Sequence, residues 1–215
     1  MIRIVTDSTC DLPPAWLASH RIAVVLINIQ FGQESFQENV TLGQDEFYRK
    51  VAALNMIPTT SQPSLGQFAA AYRDLAAEPE TDSILSVHIT SHLSGTYGAA
   101  TVAAGQMPDT PPITVFYSLS GSMGLGFMAL EAAQMAERGA AMGEIIARLK
   151  EVRQRMRIFL SLDNLRFARM SGRVGMAQAL LSSLLNVKPM LTGQRRQAGV
   201  GWPRAQPQPG AGRAG

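Results

Sequence analysis

Short apolar runs rich in β-branched residues alternate with stretches of helical periodicity along this chain, and that alternation restricts the fold more than any other feature. Residues 2–5 read as a strand, residues 6–11 as a turn-forming loop, and Pro13 starts a helix. Residues 23–31 read as a second strand, with a short extension over 36–39. Thr41 and Gln44 have capping-box spacing ahead of a helix carrying Phe47, Val51 and Leu54 on one face. Residues 58–64 form a polar loop in which Pro58 and Pro63 prohibit regular helix. Ser64 and Gln67 make a second capping box, and Leu65, Phe68, Ala69, Tyr72, Leu75 and Ala76 fall on one face of the helix that follows. Strands are expected over 83–89, 113–117 and 158–162, and helices over the alanine-rich stretch ending at Ala104, over 123–138 and over 143–155. Strands and helices alternating at this spacing define an α/β fold: a mostly parallel sheet with helices on both faces, followed by a second, smaller and incomplete α/β domain. The expected division is an N-terminal α/β domain over residues 1–145, a partial second domain over 146–192, and a tail over 193–215. That tail holds almost no large apolar side chain beyond Val200 and Trp202, so it is expected not to pack and reads as disordered or translated out of frame.

Composition removes several function classes. At 46% hydrophobic and 16% charged residues the chain can bury a core and carries too little charge for a disordered polymer. No apolar run approaches the ~20 residues a membrane span requires, and the opening MIRIVTDSTCDLPP lacks the regions of a signal peptide, so no stable membrane insertion and a cytoplasmic location are expected. Cys10 is the single cysteine, which excludes an internal disulfide, and with three histidines it is poor material for a metal site. The net charge of +3 comes largely from arginines without interleaved aromatics, a weak basis for nucleic-acid binding.

In an open α/β sheet the loops at the carboxyl ends of the strands converge on one crevice. Here those loops are alike: Thr6, Asp7, Ser8 and Thr9 follow the first strand, Thr90 to Thr96 follow the third, and Ser118, Ser120, Gly121 and Ser122 follow the fourth. Hydroxyls and helix-start N–H groups without lysine suit a neutral donor cradle for a carboxylate or phosphate. Ser61, Ser64, Ser94 and Thr96 can add O–H donors, and Gly95 allows close approach to the backbone. The alternative is that Ser64 and Ser94 cap helices. A catalytic role has less support. His88 falls in a predicted strand as a core histidine, His92 lacks an orienting partner, Asp7 serves equally well as an Asx turn, and Cys10 has no linked histidine. No phosphate loop or dinucleotide fingerprint occurs; Gly121, Gly124 and Gly126 read as close-packing positions where a helix meets the sheet. The arginines over 166–173 face an anion or form a solvated helix end, and the apolar face over 176–185 suits a core or one wall of a lipid tunnel.

Several segments together resemble the DegV family of bacterial fatty-acid-binding proteins, which includes the lipid-carrier subunit of fatty acid kinase. They are IVTDSTCDLP over 4–13, PTTSQPS over 58–64, LSGTY over 93–97, the stretch 165–175, and LLNVKPML over 184–191. The resemblance implies two α/β domains with a long-chain fatty acid between them. The ligand's carboxylate would be held by loop hydroxyls and presented to a separate ATP-using kinase that makes an acyl phosphate. No catalytic residue and no cofactor besides the bound fatty acid are implied. Matched residue by residue, the head-group positions are Thr60 and Ser94, with Ser61, Gly95 and Thr96 as further ligand-binding positions. Family members continue beyond the position of Leu191, so the second domain here is expected to be truncated. The competing reading is a small-molecule phosphotransferase or hydrolase with a strand-end active site using Asp7, His88 and His92.

Overall fold

The computed structural model describes residues 1–38, 41–54, 56–161 and 190–193, and falls into two units, Met1–Arg155 and Met156–Gly215. In the first unit, β1 (Ile2–Asp7), β2 (Ala23–Val25), β6 (Ser83–His88) and β7 (Ile113–Tyr117) form a four-stranded sheet in the order β2-β1-β6-β7, with every pair parallel. Parallel neighbours need crossovers: α3 (Leu65–Ala76) lies on the connection from β2 to β6 and α4 (Thr96–Gly105) on that from β6 to β7, while α5 (Ser122–Glu137) and α6 (Met142–Arg155) follow the last strand of the sheet.

Side-chain alternation assigns the faces. Val5 and Ile84 pack with Phe68, Tyr72 and Leu75 of α3 and Ala99, Ala100 and Ala103 of α4. The small residues of α4 let it lie close to the sheet. Ile4, Leu85 and Val87 have the opposite parity and are buried on the other face, where α5 crosses β1 and β6. Helices thus cover both faces, as the alternation requires. Helix α6 packs on α5 and buries Ile145 and Leu149, so a division at residue 145 would cut an element that belongs whole to the first unit.

Three local expectations are corrected. The run 23–31 is two strands in different sheets: β2 ends at Val25, and β3 (Asn28–Phe31) pairs antiparallel with β4 (Glu34–Gln37) through a turn at Gly32, whose φ of 61° favours glycine. The polar residues after Pro58 are not a loop throughout, because β5 (Thr59–Ser61) pairs antiparallel with β3, completing a three-stranded sheet β4-β3-β5. Thr41 does not cap α2 (Gln44–Leu54): its hydroxyl accepts from the Gln37 N–H at 2.8 Å, closing the end of β4. Of the expected α2 face, Phe47 and Val51 pack on Ile29, Phe31 and Leu42, while Leu54 is exposed. The Ser64–Gln67 capping box is present as read. Ser64 Oγ accepts from Gln67 N–H at 3.2 Å, and Gln67 Oε1 accepts from Ser64 N–H at 2.9 Å.

The remaining elements of the first unit are a single 3-10 turn, Ser8–Cys10, and α1 (Pro14–Ser19). In the second unit, β8 (Ile158–Ser161) pairs antiparallel with β9 (Met190–Gly193). The motif residues over 165–175, most of 184–191, the apolar face over 176–185 and the tail beyond Gly193 lie outside the described residues. No helix among the described residues is long and apolar enough to cross a membrane.

Candidate functional site

The carboxyl ends of β1, β6 and β7 present the hydroxyl-rich loops, and the hydrogen bonds show which hydroxyls are already committed. After β1, Asp7 is fully buried and caps the 3-10 turn: Thr9 N–H donates to Oδ1 at 3.2 Å, and the Thr9 hydroxyl bonds the same oxygen. The neighbouring Ser8 hydroxyl accepts from Ile27 N–H at 3.1 Å and also bonds Glu38, whose carboxyl is pushed up by burial and by the nearby Asp11 and Asp7. After β7, the Ser118 hydroxyl donates to Ser120 O at 3.2 Å, and that of Ser122 donates to Asp11 Oδ2 at 2.6 Å. Asp11 and Ser122 both adopt left-handed backbone, with φ of 53° and 51°, a strain this bond helps to hold. After β6, Thr90 and Ser91 are tied to the Tyr117 hydroxyl at 3.0 and 2.7 Å. The hydroxyls of Ser8, Thr9, Ser118, Ser122, Thr90 and Ser91 are therefore committed, while that of Thr6 is fully buried without a partner among the described residues.

The remaining hydroxyls are those expected at the head-group position. Thr60 and Ser61 are exposed on β5, and their hydroxyls have no hydrogen-bond partner among the described residues. Ser94 is half-buried just before α4; its hydroxyl accepts from Thr96 N–H at 3.3 Å and lies 2.8 Å from Thr96 Oγ1. Thr96 is fully buried, so it reaches Ser94 rather than the surface. Gly95 is the N-cap of α4 and offers no side-chain cap. The Gln62 carboxamide stands where a Cβ on Gly95 would be, with Cδ 2.7 Å from that position. This contact sets the end of β5 beside the start of α4. Ser64, by contrast, is used up as a helix cap.

Sequence reading missed the buried network behind these loops. Tyr72 Oη lies 2.9 Å from Ser86 Oγ, which lies 2.6 Å from His88 Nε2; His88 Nδ1 is 3.0 Å from Asp7 Oδ2, and Ile89 N–H donates to that oxygen at 3.1 Å. One proton assignment satisfies every member: Tyr72 donates to Ser86, Ser86 to Nε2, and Nδ1 to Asp7. A serine, a histidine and an aspartate in this order have the connectivity of a nucleophilic triad. Ser86, His88 and Asp7 are each fully buried beneath Phe68 and Tyr72, with no room at the serine for a reacting carbonyl. His92, the other histidine of the enzyme reading, is exposed outside this network. The constellation is structural, and no signal at the separation of Asp7 and His88 could have paired them from sequence.

Burial also decides the chemistry of Cys10 and Tyr72. It pushes the Cys10 thiol up from 9.0 to about 11 and the Tyr72 phenol from 10.0 to about 12, the latter partly opposed by the bond to Ser86. A thiol in that state is a poor nucleophile. Both groups hold their protons more tightly folded than unfolded, so their contribution is complete below pH 9 and is lost as pH rises through 9–11 for Cys10 and 10–12 for Tyr72. Each amounts to about 2–3 kcal/mol at the top of its window. Urea midpoints are expected to fall steeply between pH 9 and 12, with Cys10→Ala flattening the first part of the fall; a flat profile through pH 11 would contradict the burial.

The exposed hydroxyl residues of β5, in the antiparallel sheet, meet the loop after β6 of the parallel sheet through the Gln62–Gly95 contact. The chain belongs to the DegV family, whose model, described as an uncharacterised protein family, matches residues 1–199. Protein DegV of Bacillus subtilis (strain 168) is 36% identical over 191 residues, covering 88% of this chain and 67% of that protein. Among solved structures, a DegV family protein from Thermus thermophilus described for fatty acid binding has a TM-score of 0.80 at 37% identity, covering 89% of this chain and 67% of its own. A stearic acid-binding protein from Eubacterium ventriosum has a TM-score of 0.81 at 27% identity over the same shares. The chain spans about two thirds of the length of these relatives.

Proposed function

We propose that this protein binds a long-chain fatty acid, holding the carboxylate with the Thr60 and Ser94 hydroxyls and the backbone around Gly95, and acts in the cytoplasm as a carrier presenting that carboxylate to an ATP-using kinase. The observation that carries the reading is the hydroxyl accounting. Thr60 and Ser61 on β5 have uncommitted hydroxyls, and the contact of the next residue, Gln62, with Gly95 supports pairing Thr60 with Ser94 as the head-group site. Solved relatives described as fatty acid binding have this fold. Ser61 is a further exposed hydroxyl on the opposite face of β5 from Thr60, and Thr96 orients Ser94.

The energetics suit a carrier. At ~0.8 kcal/mol per buried CH₂, about ten methylenes reach a gross micromolar affinity before the head group contributes. Neutral donors then fix orientation and leave the carboxylate oxygens available for phosphoryl transfer on another protein. Native mass spectrometry of the purified chain is expected to show a co-purified long-chain fatty acid. Thr60→Val combined with Ser94→Ala removes two bonds to a charged group, each worth roughly 1.5 kcal/mol, and weakens fatty acid binding about a hundredfold with the melting temperature preserved. Unchanged affinity in the double variant would remove these residues from the site.

A further inference from the structure

We infer that Gln62 is a head-group specificity residue: its carboxamide, laid over Gly95, donates N–H to the carboxylate and distinguishes an acid from an uncharged head group of the same chain length. This rests on the fatty acid reading of the site. Several observations converge on it. The Gln62 side chain has no hydrogen-bond partner among the described residues, although its backbone carbonyl accepts from Asn28 Nδ2 at 3.5 Å. Its position is nevertheless defined. Pro63 is buried directly after it, Ser64 is locked as the α3 cap, and Thr59–Ser61 directly before it is held in the ladder with β3. Its carboxamide occupies space that exists because residue 95 has no side chain: a Cβ there would collide with Gln62 Oε1 and stand 2.7 Å from Cδ and 3.0 Å from Nε2, so the oxygen lies on Gly95 and the NH₂ is the outer end.

A carboxamide offers two N–H donors and one acceptor in a plane. Beside Gly95, which directly follows Ser94, and two residues after Thr60, the N–H group adds a neutral donor to a site with no lysine or arginine in either loop. An ionised acceptor strengthens each such bond roughly twofold over a neutral one, so donors of this kind favour a carboxylate over an alcohol. Gly95 is then a specificity position as well. A methyl group there evicts the carboxamide, whose atoms are the three nearest to that position.

The test compares myristic acid with tetradecanol by displacement of a fluorescent fatty acid probe from the full chain. Gln62→Ala is expected to weaken the acid about tenfold and to leave the alcohol within twofold. Gln62→Glu sets a carboxylate against a carboxylate and is expected to weaken the acid about a hundredfold, again sparing the alcohol. Gly95→Ala reproduces Gln62→Ala, and the double variant is no weaker than either single one, because both remove the same contact. The inference is overturned if acid and alcohol weaken equally, if the two substitutions add, or if Gln62→Ala binds myristate as the parent does. If the parent chain binds neither probe, the fatty acid reading itself fails, which is a separate outcome.

Discussion

Asp7→Ala lowers the unfolding free energy of the first unit by about 3–5 kcal/mol, enough to take the melting temperature down on the order of 10 °C. Four donors end on this one carboxylate: His88 Nδ1–H and Ile89 N–H on Oδ2, and Thr9 N–H and its hydroxyl on Oδ1. Truncation strands two backbone N–H groups and an imidazole in a region with no exposure at Asp7 or His88. Asp7→Asn, which keeps the volume, discriminates the mechanism. Either orientation of its carboxamide points NH₂ at a backbone donor, Thr9 N–H in one and Ile89 N–H in the other, so the isostere is expected to lose most of what alanine loses. Circular dichroism melts of the three proteins measure this. An Asp7→Asn variant within ~0.5 kcal/mol of the parent, the ordinary range for surface changes, would mean that the network does not hold the sheet edge. The loss matters for function because Asp7 ties the end of β1 to the residues that lead into the Ser94 loop. A fatty acid titration of Asp7→Asn below its melting point should show weakened binding although Asp7 is buried away from any ligand.

How far the sequence reveals this molecule depends on where the information is stored. The parallel sheet, its covering helices and the Ser64–Gln67 cap were readable because each follows from residues within one or two turns of one another. The division of residues 23–31 was not. Leu26 and Ile27 are as apolar as their neighbours, and what separates β2 from β3 is pairing: Val25 with Asp7 in one sheet, and Asn28 with Ser61 and Gln37 in the other. Strand β5 escaped for the same reason, since its three hydroxyl residues are held as an edge by backbone bonds to β3 and by no apolar pattern of their own. Thr41 had the spacing of a cap, yet the nearer Gln37 N–H claimed its hydroxyl. At the site, residue types in the TSQP and SGTY segments announced a donor cradle. The placement of Gln62 on Gly95, and the commitment of Ser8, Thr9, Ser118 and Ser122 elsewhere, required the fold.

Gly126→Ala and Gly98→Ala, the same chemical change in two helices, are expected to move stability in opposite directions. Removing a glycine from a helix gains up to ~1 kcal/mol by lowering the entropy of the unfolded chain and improving propensity. At Gly98, on the exposed side of α4, a Cβ meets nothing within 4 Å, so that gain is realised. At Gly126, α5 passes so close to the 3-10 turn that a Cβ would collide with the carbonyl oxygen of Cys10, and it would stand 2.9 and 3.1 Å from Leu12 Cγ and Cδ2. The leucine can rotate, but the carbonyl belongs to a turn held by Asp7 through Thr9 and cannot withdraw alone. Relief therefore requires α5 to lift from the sheet, loosening Leu125, Met128 and Ala129, all fully buried. Overpacking of this kind costs about 1–3 kcal/mol or more and exceeds the propensity gain, for a net loss of about 2 kcal/mol and a fall of roughly 4–8 °C in melting temperature. A valine at the same place, with two more carbons against the same carbonyl, is expected to leave little folded protein. Thermal melts of the paired alanine variants decide the matter, and a rise at both positions would show that α5 does not need glycine to reach the turn that carries the head-group edge of the sheet.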